Sequence, residues 1–167
     1  MQATMETDFL QTVNAHARII HKVCRLYGKD DEERKDLYQE IVLQLWRAFP
    51  SYRQDARAST WMYRVALNTA ISLFRRQSRQ GARVDFDNEL LNVAQPSLSQ
   101  EIDERMTYFY EAVNQLSPIE KAIVFLYLDD NSYDEIARIT GISNSNVGVK
   151  LNRIKGKLKK IVTQISQ

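Results

Sequence analysis

The side chains best suited to contact a nucleic acid lie near the C-terminus, at the start of a basic segment. Asn144, Ser145 and Asn146 can donate and accept hydrogen bonds at base edges or phosphates. The cations that follow suit phosphate contacts, and they are Lys150, Arg153, Lys155, Lys157, Lys159 and Lys160. This combination predicts a surface that reads duplex DNA. The alternative is an ordinary helical hairpin with a solvated basic face.

The sequence around these residues predicts a helix-turn-helix over residues 132–151. Ser132-Tyr133-Asp134-Glu135 is a capping box that begins a short helix. Gly141 supplies the left-handed backbone that a tight turn needs, and the second helix begins three residues later. That geometry projects residues 144–146 into a major groove. Gly148, inside the second helix, is expected to cost about 1 kcal/mol against alanine, and it either permits a close backbone approach to DNA or is simply tolerated.

A second basic surface is predicted on a helix from Trp61 to about Arg79, which Ser59 or Thr60 can cap. One face of this helix is polar and basic and is headed by an aromatic residue; it carries Trp61, Arg64, Asn68 and Arg75. The other face is expected to meet a core through Met62, Val65, Ala66, Thr69 and Leu73.

Charge is arranged in blocks along the chain, although the net charge is only +2. Residues 53–83 contain seven arginines and one acid, a net of +6. Residues 84–104 contain six acids and no lysine or arginine, whereas residues 141–167 contain six lysines or arginines and no acid. Two basic blocks that flank an acidic connector are typical of a protein with a polyanionic partner. For either block alone, a solvated charged face is the alternative.

Candidate catalytic and metal sites are weak. His21 and Cys24 share a helix face, but His16 is five residues from His21, which is a poor helical match for a metal site. The acids Asp129-Asp130 and those of residues 30–33 resemble a metal-dependent nuclease pair, yet both groups come in turns before helices, where acids favour the helix dipole. The sequence contains no P-loop, HExxH or nucleophile-elbow motif. We therefore expect no cofactor and no enzymatic activity.

The bulk composition predicts an all-α protein. The chain of 167 residues has only 5 glycines and 3 prolines, which favours helices with short connections. Residues 1–11 lack the apolar segment of a secretory signal, no stretch approaches a membrane span, and the single cysteine excludes an internal disulfide. These features predict a cytoplasmic protein that does not insert into a membrane.

Hydrophobic periodicity predicts two small helical domains joined by a flexible acidic linker. The expected helices before the linker cover residues 7–27, 34–49 and 61–79, with an irregular loop at residues 51–59. Weak periodicity, high acidity and Pro96 predict the linker at residues 80–99. A helix from about Met106 to before Ser117 and a capping box at Ser117-Pro118-Ile119-Glu120 begin the second domain. The domain boundaries follow as 1–80, a linker of 81–104, and a helix-turn-helix domain of 105–167.

Three segments together resemble an extracytoplasmic-function (ECF) sigma factor, the minimal two-domain class of bacterial sigma factors. Asp36-Leu37-Tyr38-Gln39-Glu40-Ile41, followed by Leu45-Trp46, is similar to the polymerase-binding helix of that family. Residues 60–71, which read TWMYRVALNTAI and precede Arg75-Arg76, resemble its promoter-melting helix. Residues 116–160 resemble its second domain. The resemblance covers about residues 10–160 in the expected order.

The resemblance implies a function and a role for each surface. The protein would bind core RNA polymerase, recognise two promoter elements and initiate transcription. Polymerase would be bound by Asp36, Gln39, Glu40 and Trp46. The downstream (−10) element would be held by Trp61, Arg64, Asn68, Arg75 and Arg76, and a flipped base would enter the loop of residues 51–59. The upstream (−35) element would be read by Asn144, Ser145, Asn146, Lys150 and Arg153. An anti-sigma factor is the further partner that the resemblance implies.

Two departures from the family pattern affect only the promoter sequence. The family often has an acid near Ser72, and it often has a Lys-Ser-Arg run where this chain has Gly148-Val149-Lys150. The alternative function is a stand-alone helix-turn-helix regulator that binds duplex DNA without polymerase, but residues 36–46 would have no role in it.

Overall fold

Two compact units, Met1–Val84 and Asp85–Gln167, make up the chain. The computed structural model describes residues 1–52, 54–79 and 100–167, with side chains described from Glu104 onward in the last range. Within these residues the regular backbone is helical and contains no strand, which confirms the predicted all-α, two-domain class. The predicted linker at residues 80–99 lies outside the described residues. Among the described helices, none combines the length and apolar character that crossing a membrane demands.

The first unit contains α1 (Gln2–Ala15), α2 (Ala17–Tyr27), α3 (Asp31–Ala48), a 3-10 turn (Phe49–Ser51) and α4 (Ala58–Arg79). Helices α2, α3 and α4 pack on one another around fully buried Ile20, Val23, Ile41, Leu45 and Met62. The start of α3 is set by Asp30, whose side chain accepts a hydrogen bond from the backbone N–H of Glu33 at 2.8 Å. The predicted core series of Leu37, Ile41 and Leu45 is confirmed, since all three are buried.

The first predicted helix, residues 7–27, is in fact two helices that meet at His16. The backbone of His16 leaves the helical region, with φ −123° and ψ 22°, and its N–H donates to the carbonyl of Val13. The break separates two helices that pack through different residues. Helix α1 buries Phe9 and Val13, whereas the buried residues of α2 are Ile19, Ile20, Val23, Cys24 and Tyr27.

Helix α4 begins at Ala58, three residues before the predicted start. The N–H of Trp61 donates to the carbonyl of Arg57 at 3.1 Å, so Ser59 and Thr60 lie inside the first turn, and the predicted cap at either residue is wrong. Two of the five predicted core residues, Met62 and Ala66, are buried. The buried residues of α4 are Met62, Tyr63, Ala66, Leu67, Ala70 and Ile71. The predicted Val65, Thr69 and Leu73 are only half-buried, because α4 packs against both α2 and α3 along a slightly rotated face.

The second unit contains α5 (Gln100–Asn114), α6 (Pro118–Leu128), α7 (Tyr133–Thr140) and α8 (Asn144–Ile165). Both predicted capping boxes are present, at Ser117 with Glu120 and at Ser132 with Glu135. Gly141 ends α7 with φ +77°, as the predicted turn requires. Helix α5 begins at Gln100, about six residues earlier than expected, so the predicted linker range of 81–104 includes the first turn of this helix.

Candidate DNA-binding and protein-binding surfaces

The start of α8 is an exposed polar turn held by its own cap. The Ser143 hydroxyl accepts a hydrogen bond from the backbone N–H of Asn146 at 3.2 Å. Asn144, Ser145 and Asn146 are all exposed. Beneath them, a buried stripe fixes α8 against α7, and it consists of Val147, Leu151, Ile154 and Ile136. The structure therefore places the three predicted base-reading residues together on the first turn of the second helix of a helix-turn-helix.

Four of the six cations of α8 fall into two groups, and the other two, Lys159 and Lys160, are exposed near its C-terminal end. Lys150 is half-buried and Arg153 is exposed, one helical turn apart and beyond the polar turn. Lys157 instead forms an ion pair with Glu120 at 3.1 Å, and Lys155 lies over the ring of Tyr127, 4.6 Å from its centroid. These two lysines thus join α8 to α6, a contact that charge counting along the sequence does not reveal.

Glu120 is the acid of this contact, and its ionised form is stabilised. Burial acts to raise the pKa of Glu120, but hydrogen bonds from the Ser117 backbone and from Lys157 outweigh burial and lower the pKa below its ordinary value. The capping box at the start of α6 and the ion pair to α8 therefore support each other.

The predicted basic face of α4 is present on the first unit. Arg64, Asn68, Arg75 and Arg76 are exposed. The spacings of the first three align them along one side of the helix, whereas Arg76, the residue after Arg75, lies about 100° further round the helix axis. Trp61, at the head of this face, is half-buried. Its ring stacks on Tyr52 with centroids 4.6 Å apart and planes 25° from parallel. One face of the indole is therefore already covered by a residue of the preceding loop.

Tyr52 was missed by the sequence analysis, although the loop that contains it was singled out. Its hydroxyl donates to the carbonyl of Ala56 at 3.0 Å and closes the loop before α4. Phe49 lies behind both rings, 6.3 Å from Tyr52 and 6.1 Å from Trp61 between centroids. The only signal in the sequence is the spacing of aromatic residues at positions 49, 52 and 61, which does not reveal that they meet.

The acidic face of α3 is the third candidate surface. Asp36 and Gln39 are exposed, and Glu40 is half-buried and accepts a hydrogen bond from the Gln44 side chain at 2.9 Å. Asp36 and Glu40, together with Glu33, line a cleft of about 250 Å³ that Tyr27 and Gly28 also border. Its apolar lining includes Leu37, Ala70, Leu73 and Phe74.

Trp46, the fourth residue predicted to bind polymerase, takes part in the packing of the first unit. Its ring is half-buried and meets Phe9 of α1 edge to face, with centroids 5.0 Å apart. Phe9 also contacts Phe49 at 5.4 Å. Trp46 therefore belongs to an aromatic cluster that continues to Trp61, and it is not grouped with Asp36 and Glu40 around the cleft.

The weak metal candidates gain no support from the described residues, which contain no group of three possible ligands. Cys24 is buried, and burial raises the pKa of its thiol to about 11, so the thiol is protonated at neutral pH. The His21 ring packs on Tyr38 with centroids 5.0 Å apart.

Sigma-factor family models match each unit. Sigma-70 region 2 matches residues 12–80, and Sigma-70, region 4 matches residues 106–158. The ECF RNA polymerase sigma-E factor of Escherichia coli strain K12 is 31% identical, with the match covering 73% of this chain and 71% of the relative. The chain belongs to the ECF sigma factor family. It is a sigma factor that binds core RNA polymerase, recognises promoter DNA and initiates transcription. Sigma factors are not known as enzymes.

Further relatives of this sigma factor extend the likeness. RNA polymerase sigma factor SigV of Bacillus subtilis strain 168 is 25% identical, covering 90% of this chain and 88% of the relative. The fold is similar to that of sigma factor RpoE of Bartonella quintana, solved in complex with the anti-sigma factor NepR, with a TM-score of 0.69, 18% identity, and coverage of 93% and 97% of the two chains. CnrH, solved with the cytosolic domain of CnrY, has a TM-score of 0.66, 20% identity, and coverage of 95% and 90%.

Proposed function

We propose that three surfaces of this sigma factor divide the work of initiation. The acidic face of α3, with Asp36, Gln39 and Glu40, binds the polymerase. The basic face of α4 and the loop before it hold the melted downstream element. The first turns of α8 read the upstream element as duplex DNA. The observation that carries this proposal is that each surface is exposed within the unit that the corresponding region model matches.

The α3 surface suits a basic protein partner that carries apolar stems. Asp36 and Glu40 supply negative charge to the cleft, and Leu37, Leu73 and Phe74 supply apolar surface. A lysine or arginine of the partner can bury its methylenes on the apolar residues while its charge meets the acids. Trp46 packs on Phe9 of α1 and is not part of this surface.

The α4 surface suits an unstacked single strand. The Tyr52–Trp61 stack offers an aromatic platform, and Arg64, Arg75 and Arg76 follow it along the helix for contacts with phosphates. Aromatic stacking stabilises a bound base by roughly 1–3 kcal/mol, which offsets the few kcal/mol that flipping costs.

The α8 surface suits a major groove. Its short polar side chains at residues 144–146 reach base edges, and Lys150 and Arg153 contact phosphates. We further propose that the protein works in the cytoplasm without a cofactor or catalytic activity of its own. An anti-sigma factor is proposed as its inhibitory partner, supported by the two similar folds, one of which was solved with the anti-sigma factor NepR.

Variants confined to one surface test this division. Asp36→Arg with Glu40→Arg is expected to weaken assembly with core polymerase. Glu6→Arg with Asp8→Arg, at two exposed acids of α1, makes the same change in net charge and is the matched control that leaves assembly unchanged. Lys150→Ala with Arg153→Ala is expected to leave assembly intact, to weaken upstream-element binding at all sequences, and to reduce its dependence on salt. Loss of assembly in the α8 variant, or its preservation in the α3 variant, contradicts the assignments.

A further inference from the structure

One acid lies beside the proposed base-reading turn. The Nδ2 amide of Asn144, the first residue of α8, donates a hydrogen bond to Oδ1 of Asp134 in α7. Both side chains are exposed. Residues 141–167 contain no acid, so Asp134 brings a negative charge to the edge of a surface that is otherwise suited to phosphates.

The placement of this acid is not required to begin α7. Ser132 and Glu135 already form a complete capping box, with hydrogen bonds of 3.2 Å and 2.8 Å. A second acid in the first turn adds only a small interaction with the helix dipole, and it repels a nearby phosphate. A role in recognition accounts for an acid at this position better than helix initiation does.

The chemistry of the pair fixes how Asn144 is oriented. An ionised carboxylate only accepts hydrogen bonds, so the NH₂ group of Asn144, and not its carbonyl oxygen, must face Asp134. The carbonyl oxygen is then turned away from the acid, together with one remaining N–H. Without Asp134 the amide can rotate by half a turn and exchange donor for acceptor at the same place.

We propose that Asp134 is a specificity-determining residue that positions Asn144 to accept a hydrogen bond from a base in the upstream promoter element. The base it selects carries an exocyclic amino group in the major groove. Adenine is favoured over cytosine because the remaining N–H of Asn144 can also donate to N7 of adenine. This inference rests on the proposed role of α8 as the reader of the upstream element.

The test uses holoenzyme assembled from core polymerase and the full-length chain, with a promoter library randomised in the upstream element. The protein is compared with Asn144→Ala, Asp134→Ala and Asp134→Glu, and with Glu104→Ala as a control that removes an exposed acid of the same unit. Sequencing of the transcripts gives base preference at each position, and thermal unfolding of each variant is measured alongside.

The expected result is an amino-bearing base, adenine foremost, at the position where Asn144→Ala abolishes preference. Asp134→Ala is expected to lower selectivity at that same position by roughly tenfold, because one good base contact supplies discrimination of about that size. Base preferences at the other positions of the upstream element remain in Asp134→Ala. Asp134→Glu is expected to restore part of the selectivity at the Asn144 position, and Glu104→Ala is expected to change no base preference.

Several outcomes overturn the inference. If Asp134→Ala lowers transcription equally from all promoter sequences, the acid only stabilises α7. A guanine or thymine at the Asn144 position would mean that the amide faces the other way. If Asn144→Ala changes no preference while initiation persists, the reader assignment under the proposed function fails too. If Asn144→Ala removes a preference that Asp134→Ala leaves intact, only the role of Asp134 is lost.

Discussion

Tyr52 stacks on Trp61 with ring centroids 4.6 Å apart, and this contact joins the loop that precedes α4 to the head of its basic face. The Tyr52 hydroxyl also donates a hydrogen bond to the carbonyl of Ala56, so the same residue holds both the loop and the Trp61 ring. Preorganisation lowers the cost of ordering the loop when a base is captured. We therefore propose that the stack supports the melting surface.

Removal of the stack is expected to impair promoter opening without impairing holoenzyme assembly. Tyr52→Ala should reduce the equilibrium population of open complex roughly 5- to 100-fold, which corresponds to the loss of about one stacking interaction. Opening is measured by the fluorescence of a 2-aminopurine base placed in the downstream element. Tyr52→Phe keeps the ring and should retain most of the open complex. Tyr110→Ala on α5 is a control from the other unit. An unchanged signal in Tyr52→Ala would remove the stack from the account.

Phe9 is expected to support this platform from the far side of the aromatic cluster. It is buried and meets both Trp46 and Phe49, so Phe9→Ala should destabilise the first unit by about 3–5 kcal/mol. Denaturant unfolding followed by tryptophan fluorescence reports on this unit, since both tryptophans lie in it. The neighbouring Leu10 is exposed, and Leu10→Ala should change the free energy of unfolding by less than about 0.5 kcal/mol. Equal effects of the two substitutions would show that α1 does not pack as described.

Lys121 is expected to make the stability of the second unit depend on pH. Burial lowers the pKa of this lysine to about 8, below the ordinary value of 10.5. Between these two pH values the unfolded chain binds more protons than the folded chain, so this group makes stability rise with pH. Below about pH 8, Lys121 is protonated in both the folded and the unfolded chain, so the free-energy cost of burying its charge is fully present.

The contribution of Lys121 is measured as a difference between the protein and Lys121→Met, which keeps a similar side-chain length. Chemical unfolding is followed by far-ultraviolet circular dichroism between pH 7 and pH 10. The difference in unfolding free energy between the two chains should shrink as the pH rises, since each pKa unit corresponds to about 1.4 kcal/mol. A difference that stays constant over this range would mean that Lys121 is not desolvated.

The two glycines of the helix-turn-helix are expected to respond in opposite directions to alanine. A methyl group at Gly148 would lie 3.4 Å from the Tyr133 ring, an almost ordinary contact, so Gly148→Ala should stabilise the fold by about 0.5–1 kcal/mol through helix propensity. Gly141 has φ +77°, and Gly141→Ala should destabilise it by about 1 kcal/mol. Thermal unfolding of the two variants measures both changes in stability. Destabilisation by Gly148→Ala would indicate that the Tyr133 ring cannot move.

Sequence alone predicts those parts of the fold that local chemistry determines. The capping boxes at Ser117 and Ser132, and the left-handed Gly141, depend on residues within a few positions of one another, and all three are present. The break at His16 could not be predicted, because it has no glycine or proline and arises from the different packing of α1 and α2. The same limit applies to the rotated core face of α4, which depends on two partner helices.

The candidate surfaces also contain some features that local sequence predicts and some contacts that it does not. Exposed residues at helical spacing, such as Arg64 and Asn68, follow from periodicity. The Tyr52–Trp61 stack, the Asp134–Asn144 hydrogen bond and the Lys157–Glu120 ion pair join residues that are 9, 10 and 37 positions apart, across turns and loops whose paths no local pattern determines. The sequence therefore groups Lys155 and Lys157 with the cations that are expected to contact phosphates, whereas the structure shows that they contact α6.

The most direct test of the central claim is reconstitution with bacterial core RNA polymerase on a genomic promoter library, followed by sequencing of the transcripts. We expect transcripts that begin downstream of one shared two-part motif and that are absent with core polymerase alone. Failure to initiate, together with tight binding of duplex DNA by the protein without polymerase, would contradict the account and favour a stand-alone helix-turn-helix regulator.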